Sequence, residues 1–208
     1  RSSDLPECRE RYLLFTPRPY APTPPGAAQP SASVGQTDGR EWPLERNDRG
    51  RLLARYYIRL DADGCLEHSR RLREDDPAPA DPGAVWYAYL EIQEPCAGWN
   101  HATLGDVLNP AAARRFIALT HERYAARVGR HFGDTIPGIF TDEPHFVHKP
   151  CLRAAADLTD LRLPFTDDLP DTYRRAFGDD LLDHLPEIVW DLPHRAPSLT
   201  RLRFHDHL

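Results

Sequence analysis

The chain has 208 residues, 40% of them hydrophobic, which is enough for a core and for one domain of ordinary size. Its formal net charge is −6, which speaks against nucleic acid as a partner, and no apolar run approaches the roughly 20 residues of a membrane span. Lys149 is its single lysine and it has no methionine, so Arg1 is not a translation start and a piece of a longer chain is expected.

In chain order, "RSSDLPECRERYLLF" predicts a short helix capped by Ser3 or Asp4 with Glu7 in its first turn. The Pro-, Ala-, Gly- and Ser-rich stretch that follows buries little surface, and Pro17 to Pro43 reads as a long flexible loop. Ala54 to Leu60 and Cys65 to Leu72 are strand-like, and "DADG" between them is a hairpin turn in which Gly64 supplies positive φ. "AVWYAYLEIQEP", Ala84 to Pro95, is aromatic and almost continuously hydrophobic, as a strand covered on both faces would be, and it ends in acid at Glu91 and Glu94.

Asn109 is a good N-cap and Pro110 a good first helical residue. Ala113, Phe116, Ile117, Thr120 and Tyr124 recur at helical spacing as a stripe to be buried, and Gly129 or Gly133 closes the helix. Ile136 to Phe140 then reads as a short buried strand, which makes a strand–helix–strand unit and implies a parallel sheet. A loop to about Leu163 precedes a helix in "TDDLPDTYRRAFG", capped by Thr166 or Asp167 and closed by Gly178. "DDLLDHLPEIVWD" is helical with a break near Pro186, and a further helix starts after the cap Ser198.

The chemistry-bearing stretch is "TIPGIFTDEPHF", an apolar run that ends in Asp142 and Glu143. In parallel α/β folds reactive groups sit at the carboxyl ends of strands, and two acid-ended strands joined by one helix would place Glu94, Asp142 and Glu143 at one edge. Alternation along the strand turns Glu143 inward with Ile139 and Thr141, which favours Glu143 for chemistry and Asp142 for support. A carboxyl in an apolar mouth holds its proton near neutral pH, as glycoside cleavage requires. Adjacent acids at a strand end read equally as solvated loop residues or helix caps.

Trp99 and Asn100 follow the first acid-ended strand and suit a sugar face and a sugar hydroxyl; the alternative is loop packing. His121 and Glu122 lack the second His of HExxH, because position 125 is Ala125, and read as packing or hydrogen-bonding groups. His145 and His148 with Asp142 are too loosely spaced for a metal site, and Cys8, Cys65, Cys96 and Cys151 contain no CxxC pair. No metal and no cofactor are expected.

Two segments, "DVLNP…RRFIALTHERYAARVGRHFGDTIPGIFTDEP" and "LPFTDDLPDTYRRAFGDDLLDHLPEI", resemble bacterial multidomain glycoside hydrolases of the α-L-rhamnosidase-like or β-galactosidase-like group. The likeness runs over Asp106, Asn109 and Pro110, then Phe116, Thr120, His121, Glu122 and Tyr124, then Phe132 through Pro144 and Thr166 through Pro186. It extends from about Ala84 to the end, with Phe165 where that group has Trp.

The resemblance implies an α/β fold, part of a (β/α)8 TIM-type barrel, incomplete and with the hairpin of residues 54–72 inserted. It implies one partial catalytic region over residues 1–208, acting on a carbohydrate substrate alongside the remaining barrel and accessory domains of the same polypeptide. By that likeness Glu143 is the general acid of O-glycosyl hydrolysis, and Asp142 touches a sugar hydroxyl, as Glu94, Trp99 and Asn100 would. The partner carboxylate would come from a later strand. The alternative expectation is a non-catalytic remnant that binds carbohydrate or serves structure alone.

Overall fold

Tyr, Trp, Phe and Leu crowd the runs at residues 11–16 and 84–92 at successive positions, so these two runs offer apolar side chains to both sides of a pleated sheet. In the computed structural model these runs join one five-stranded antiparallel sheet. The structure describes residues 5–20, 48–73, 75–77, 79, 83–95, 103–141, 146–147 and 149–208. The strands are β1 (Arg11–Thr16), β2 (Arg51–Leu60), β3 (Leu66–Leu72), β4 (Ala84–Ile92) and β5 (Leu161–Pro164), in spatial order β3-β2-β4-β1-β5.

The N-terminal stretch read as a helix is instead β1, preceded by a single 3-10 turn over Pro6–Cys8. All six β1 residues are buried. Aromatic and leucine side chains on both faces of a central strand outweigh the local capping signal. The hairpin forms as the sequence implies: the Asp61 side chain accepts from the N–H groups of Asp63 and Cys65, and Gly64 has φ of 79°. The edge strand β5 lies inside the expected loop; it has four residues and ends at Pro164, a residue tolerated where ladder pairing stops.

One sheet face packs against the C-terminal helices α3 (Leu169–Phe177), α4 (Pro186–Val189) and α5 (Leu199–His207). Phe15 of β1 stacks on Trp86 of β4 with centroids 5.1 Å apart, and Trp86 meets Trp190 edge-on at 5.1 Å. The polar ends of these large groups are satisfied: Trp190 Nε1 donates to Ala155 O at 2.9 Å and Tyr56 Oη to Leu182 O at 2.6 Å. Ser198 caps α5 by accepting from Arg201 N–H at 3.0 Å, and Gly178 closes α3 with φ of 72°. Thr166 does not cap α3; its hydroxyl is turned to Asp106.

The expected (β/α)8 barrel fold, whole or partial, is not formed. β4 pairs antiparallel with both β1 and β2, and no pairing within the sheet is parallel. After β4 the chain forms α1 (Pro110–Leu119) and α2 (His121–Val128), separated at Thr120, whose hydroxyl bonds back to Phe116 O at 2.6 Å. Asn109 does cap α1, accepting from Ala111 N–H at 2.9 Å. The strand expected over Ile136 to Phe140 is not formed: residues 137–141 are irregular and exposed, and Ile136 makes only an isolated bridge to Phe132. The stripe expected to be buried is exposed at Phe116, Ile117 and Tyr124, and of α1 and α2 only Ala112 is buried.

The core and the α1–α2 arm therefore differ sharply in what a truncation removes. Trp86→Ala is expected to cost about 3–5 kcal/mol in urea unfolding, whereas Tyr124→Ala should stay within about 0.5 kcal/mol. Equal effects of the two substitutions would contradict this packing.

Candidate functional site

The second sheet face differs from the first in kind. Antiparallel register pairs Tyr12 with Glu91, Leu14 with Tyr89 and Thr16 with Tyr87, and pleating sends all six side chains to this face. Beyond the strand ends the ladder continues, because Gln93 N–H donates to Glu10 O at 3.0 Å, which sets Glu10 and Gln93 beside Tyr12 and Glu91. From β5, Arg162 lies opposite Leu14 and its guanidinium carbon stands 5.1 Å from the Tyr12 ring centroid. Tyr12, Leu14, Tyr89 and Val147 form a small apolar cluster here, with Tyr20 and Tyr87 against it.

Three carboxyls sit in this low-dielectric setting: Glu10, Glu91 and Asp106 are each at most 2% exposed. Burial pushes Glu10 up from 4.5 to about 7, helped by the negative charge of Asp106 and opposed by the Val147 N–H that bonds to it. Burial also raises Glu91, against hydrogen bonds from the Tyr20 hydroxyl and the Gly50 N–H. Asp106 is raised by burial as well, while Thr166 Oγ1, at 2.6 Å, and Leu108 N–H donate to it. Asp106 is held in place by its own N–H, bonded to Cys8 O at 2.9 Å.

Gly50 is required for this arrangement. A Cβ there would stand 2.7 Å from Leu90 O and 3.0 Å from Glu91 Cδ, so only glycine brings a backbone N–H against that carboxyl. Tyr20 approaches from the other side: its ring stacks on Tyr89 at 3.6 Å and its hydroxyl donates to Glu91 Oε1. Glu91 Oε2 and Gln93 Oε1 are buried without a hydrogen-bond partner among the described residues.

Of the residues singled out from the sequence, Glu94 lies just past the end of β4, half-buried and paired with Arg49 at 3.2 Å. Glu143, Asp142, Trp99 and Asn100 lie outside the described residues, as do His145 and His148. The expected common edge of two parallel strands is not there to gather them. His121 is half-buried and bonds through Nδ1 to Thr120 Oγ1 at 2.9 Å, while Glu122 is exposed. Among the described residues no three His, Cys, Asp or Glu side chains converge as a metal would need, and no helix is long and apolar enough to cross a membrane.

The sequence reading missed Glu10, Gln93 and Tyr20. Glu10 was hidden because its segment read as helical; the alternation of Glu10, Tyr12, Leu14 and Thr16 was the available signal. Glu91 was visible as strand-end acid, but its partners are fixed only by tertiary register. Comparison of the chain with models of protein families, with curated proteins and with solved structures finds no match.

These carboxyls make stability pH-dependent with a definite sign. A carboxyl whose folded pKa is raised binds more protons folded than unfolded, so its contribution is complete below about 4.5 and lost as pH rises through about 7. For Glu10 the difference between those values corresponds to about 3 kcal/mol. Unfolding free energy measured in urea should fall from pH 5 to pH 8, and Glu10→Gln should flatten that fall in part, because Glu91 and Asp106 act in the same direction. A slope that Glu10→Gln leaves untouched would contradict the assignment.

Proposed function

We propose that the chain belongs to a glycoside hydrolase and that its second sheet face forms part of the wall of the carbohydrate site. The observation that carries this reading is the concentration of buried carboxyls, their pKa values raised by burial, among tyrosines on one face. Sugars are bound by aromatic faces together with carboxyl and amide groups, and glycoside cleavage needs a carboxyl that remains protonated near neutral pH.

The proton donor assigned by the resemblance is Glu143, four residues before Val147 in the chain. Val147 packs on the Tyr12–Tyr89 cluster and its N–H bonds to Glu10. In the proposed reaction Glu143 protonates the leaving oxygen, Asp142 holds a sugar hydroxyl, and the sugar passes through an oxocarbenium-like state. Glu94 is a weaker support, since Arg49 already occupies it.

A second reading, carbohydrate binding without hydrolysis, is favoured by one observation. Asp106 and Glu91 are held by Thr166, Leu108, Tyr20 and Gly50, which suits scaffolding as well as chemistry.

Glu143→Gln separates the two. Turnover of alkyl glycosides, whose leaving groups need a proton, is expected to fall by about 10²–10⁴-fold, with aryl glycosides carrying good leaving groups affected much less. Unchanged alkyl glycoside turnover removes Glu143 from the mechanism. Binding of sugars with no hydrolysis by the parent protein supports the second reading.

A further inference from the structure

Around the sheet and the C-terminal helices, Arg11, Arg18, Arg59, Arg71, Arg174 and Arg201 each pair with an Asp or Glu. The arm made of α1, α2 and the 3-10 turn Gly129–His131 is different. It carries Arg114, Arg115, Arg123, Arg127 and Arg130 against a single acid, Glu122, and among the described residues none of the five arginines forms an ion pair. The same arm exposes Phe116, Ile117, Tyr124 and Phe132, and beyond it Ile139 and Phe140 are exposed, Phe140 at 85%. Thr120 N–H bonds to Phe116 O and Tyr124 N–H to Thr120 O, both at 3.0 Å, so the helical ladder runs through the junction and Phe116, Ile117 and Tyr124 share one stripe. Arg114 stands one turn before Ile117 and Arg127 one turn after Tyr124, which sets cations beside the apolar groups.

We infer that this arm is a docking surface for an anionic phospholipid bilayer, with its apolar stripe at the acyl boundary and its guanidinium groups on lipid phosphates. The inference does not depend on the carbohydrate reading. Helices of ten and eight residues are too short to cross the hydrocarbon layer, so the contact is interfacial. A helix that lies in the headgroup plane needs exposed apolar side chains for one side and cations for the other, and the arm has both without partners of its own. Tyr124 suits that depth, because its ring is apolar and its hydroxyl stays wet, and arginine stems can lie along apolar surface while their heads reach phosphate.

Other occupants fit less well. A second copy would bring an arm of the same charge, and carboxylates elsewhere on the chain, Asp167, Asp180, Asp183 and Asp191 among them, already hold arginines. Nucleic acid would engage the arginines but leave Ile117, Ile139 and Phe140 without a contact. The formal net charge of −6 opposes a bilayer only at short range, because charges more than about 8 Å away are largely screened at physiological salt.

The test is sedimentation of the whole chain with vesicles of phosphatidylcholine alone and of phosphatidylcholine and phosphatidylserine in equal parts. The mixed vesicles should carry the protein down and the neutral ones much less, and about 0.5 M salt should release most of it. Arg123→Glu with Arg127→Glu and, separately, Ile117→Ser with Tyr124→Ser should each weaken binding about tenfold or more. All four positions are exposed, so the urea midpoint should barely move, and lost binding then reports the surface rather than the fold. No binding to either vesicle, equal binding to both, or binding that either folded double variant leaves unchanged would overturn the inference. So would duplex DNA bound as tightly as the mixed vesicles, or a dimer in solution that Ile117→Ser with Tyr124→Ser dissolves. None of these readouts depends on glycoside turnover, so the docking surface and the carbohydrate reading fail separately.

Discussion

The antiparallel pairing of β1 with β4 is the constraint on which the rest depends. It places the N-terminal strand inside the sheet, between β4 and β5 and 70 or more positions in sequence from β4, and sets a register of Tyr12 against Glu91. That register sorts the side chains. Leu13 and Phe15 go to the helix-covered core with Trp86 and Ala88, while Tyr12, Leu14, Tyr89 and Glu91 go to the other side. A slip of one residue would exchange the two sets and drive Glu91 into the packing of Trp86 and Trp190.

The two faces use opposite means to solve one problem. On the helix side, large rings fill space and their few polar atoms find backbone carbonyls. On the other side carboxyls are buried, and the structure limits the cost with a Gly50 N–H, a Tyr20 hydroxyl, a Thr166 hydroxyl and protonation. Arg11, in line with Leu13 and Phe15, stands at the end of the helix-covered face. It is nearly buried, bonds Asp167 at 2.9 Å, and also donates to Pro6 O and Arg9 O, so its charge is spread over several acceptors.

Local signals were legible where local chemistry decides the outcome. The DADG turn, the Asn109 and Ser198 caps, the Gly178 stop and the break near Pro186 all depend on residues within a few positions of each other, and all appear. The sheet's direction was not legible. Continuous hydrophobicity in β4 correctly indicated cover on both faces, but a central antiparallel strand with helices on one side and tyrosines on the other has the same pattern. The helical stripe of α1 and α2 was equally real as a pattern, yet amphipathicity states only that a face suits burial, and here nothing among the described residues covers it. Glu91 was readable as a strand-end acid, whereas its grouping with Glu10 and Gln93 depends on the distant pairing with β1.

The hydrogen bond from Thr166 to Asp106 joins positions 60 apart and so pinches the chain at the base of everything between them. The α1–α2 arm inside that span is fastened to the sheet side by Ala112 and by the Asn109 side chain bonded to Glu7 O. Because so little of it is packed, the arm's amides are expected to exchange with solvent through sub-global opening while those of β1 and β4 wait for global unfolding. The clasp at Asp106 thus sets the sheet, and with it the carboxyl face, apart from any opening of the arm.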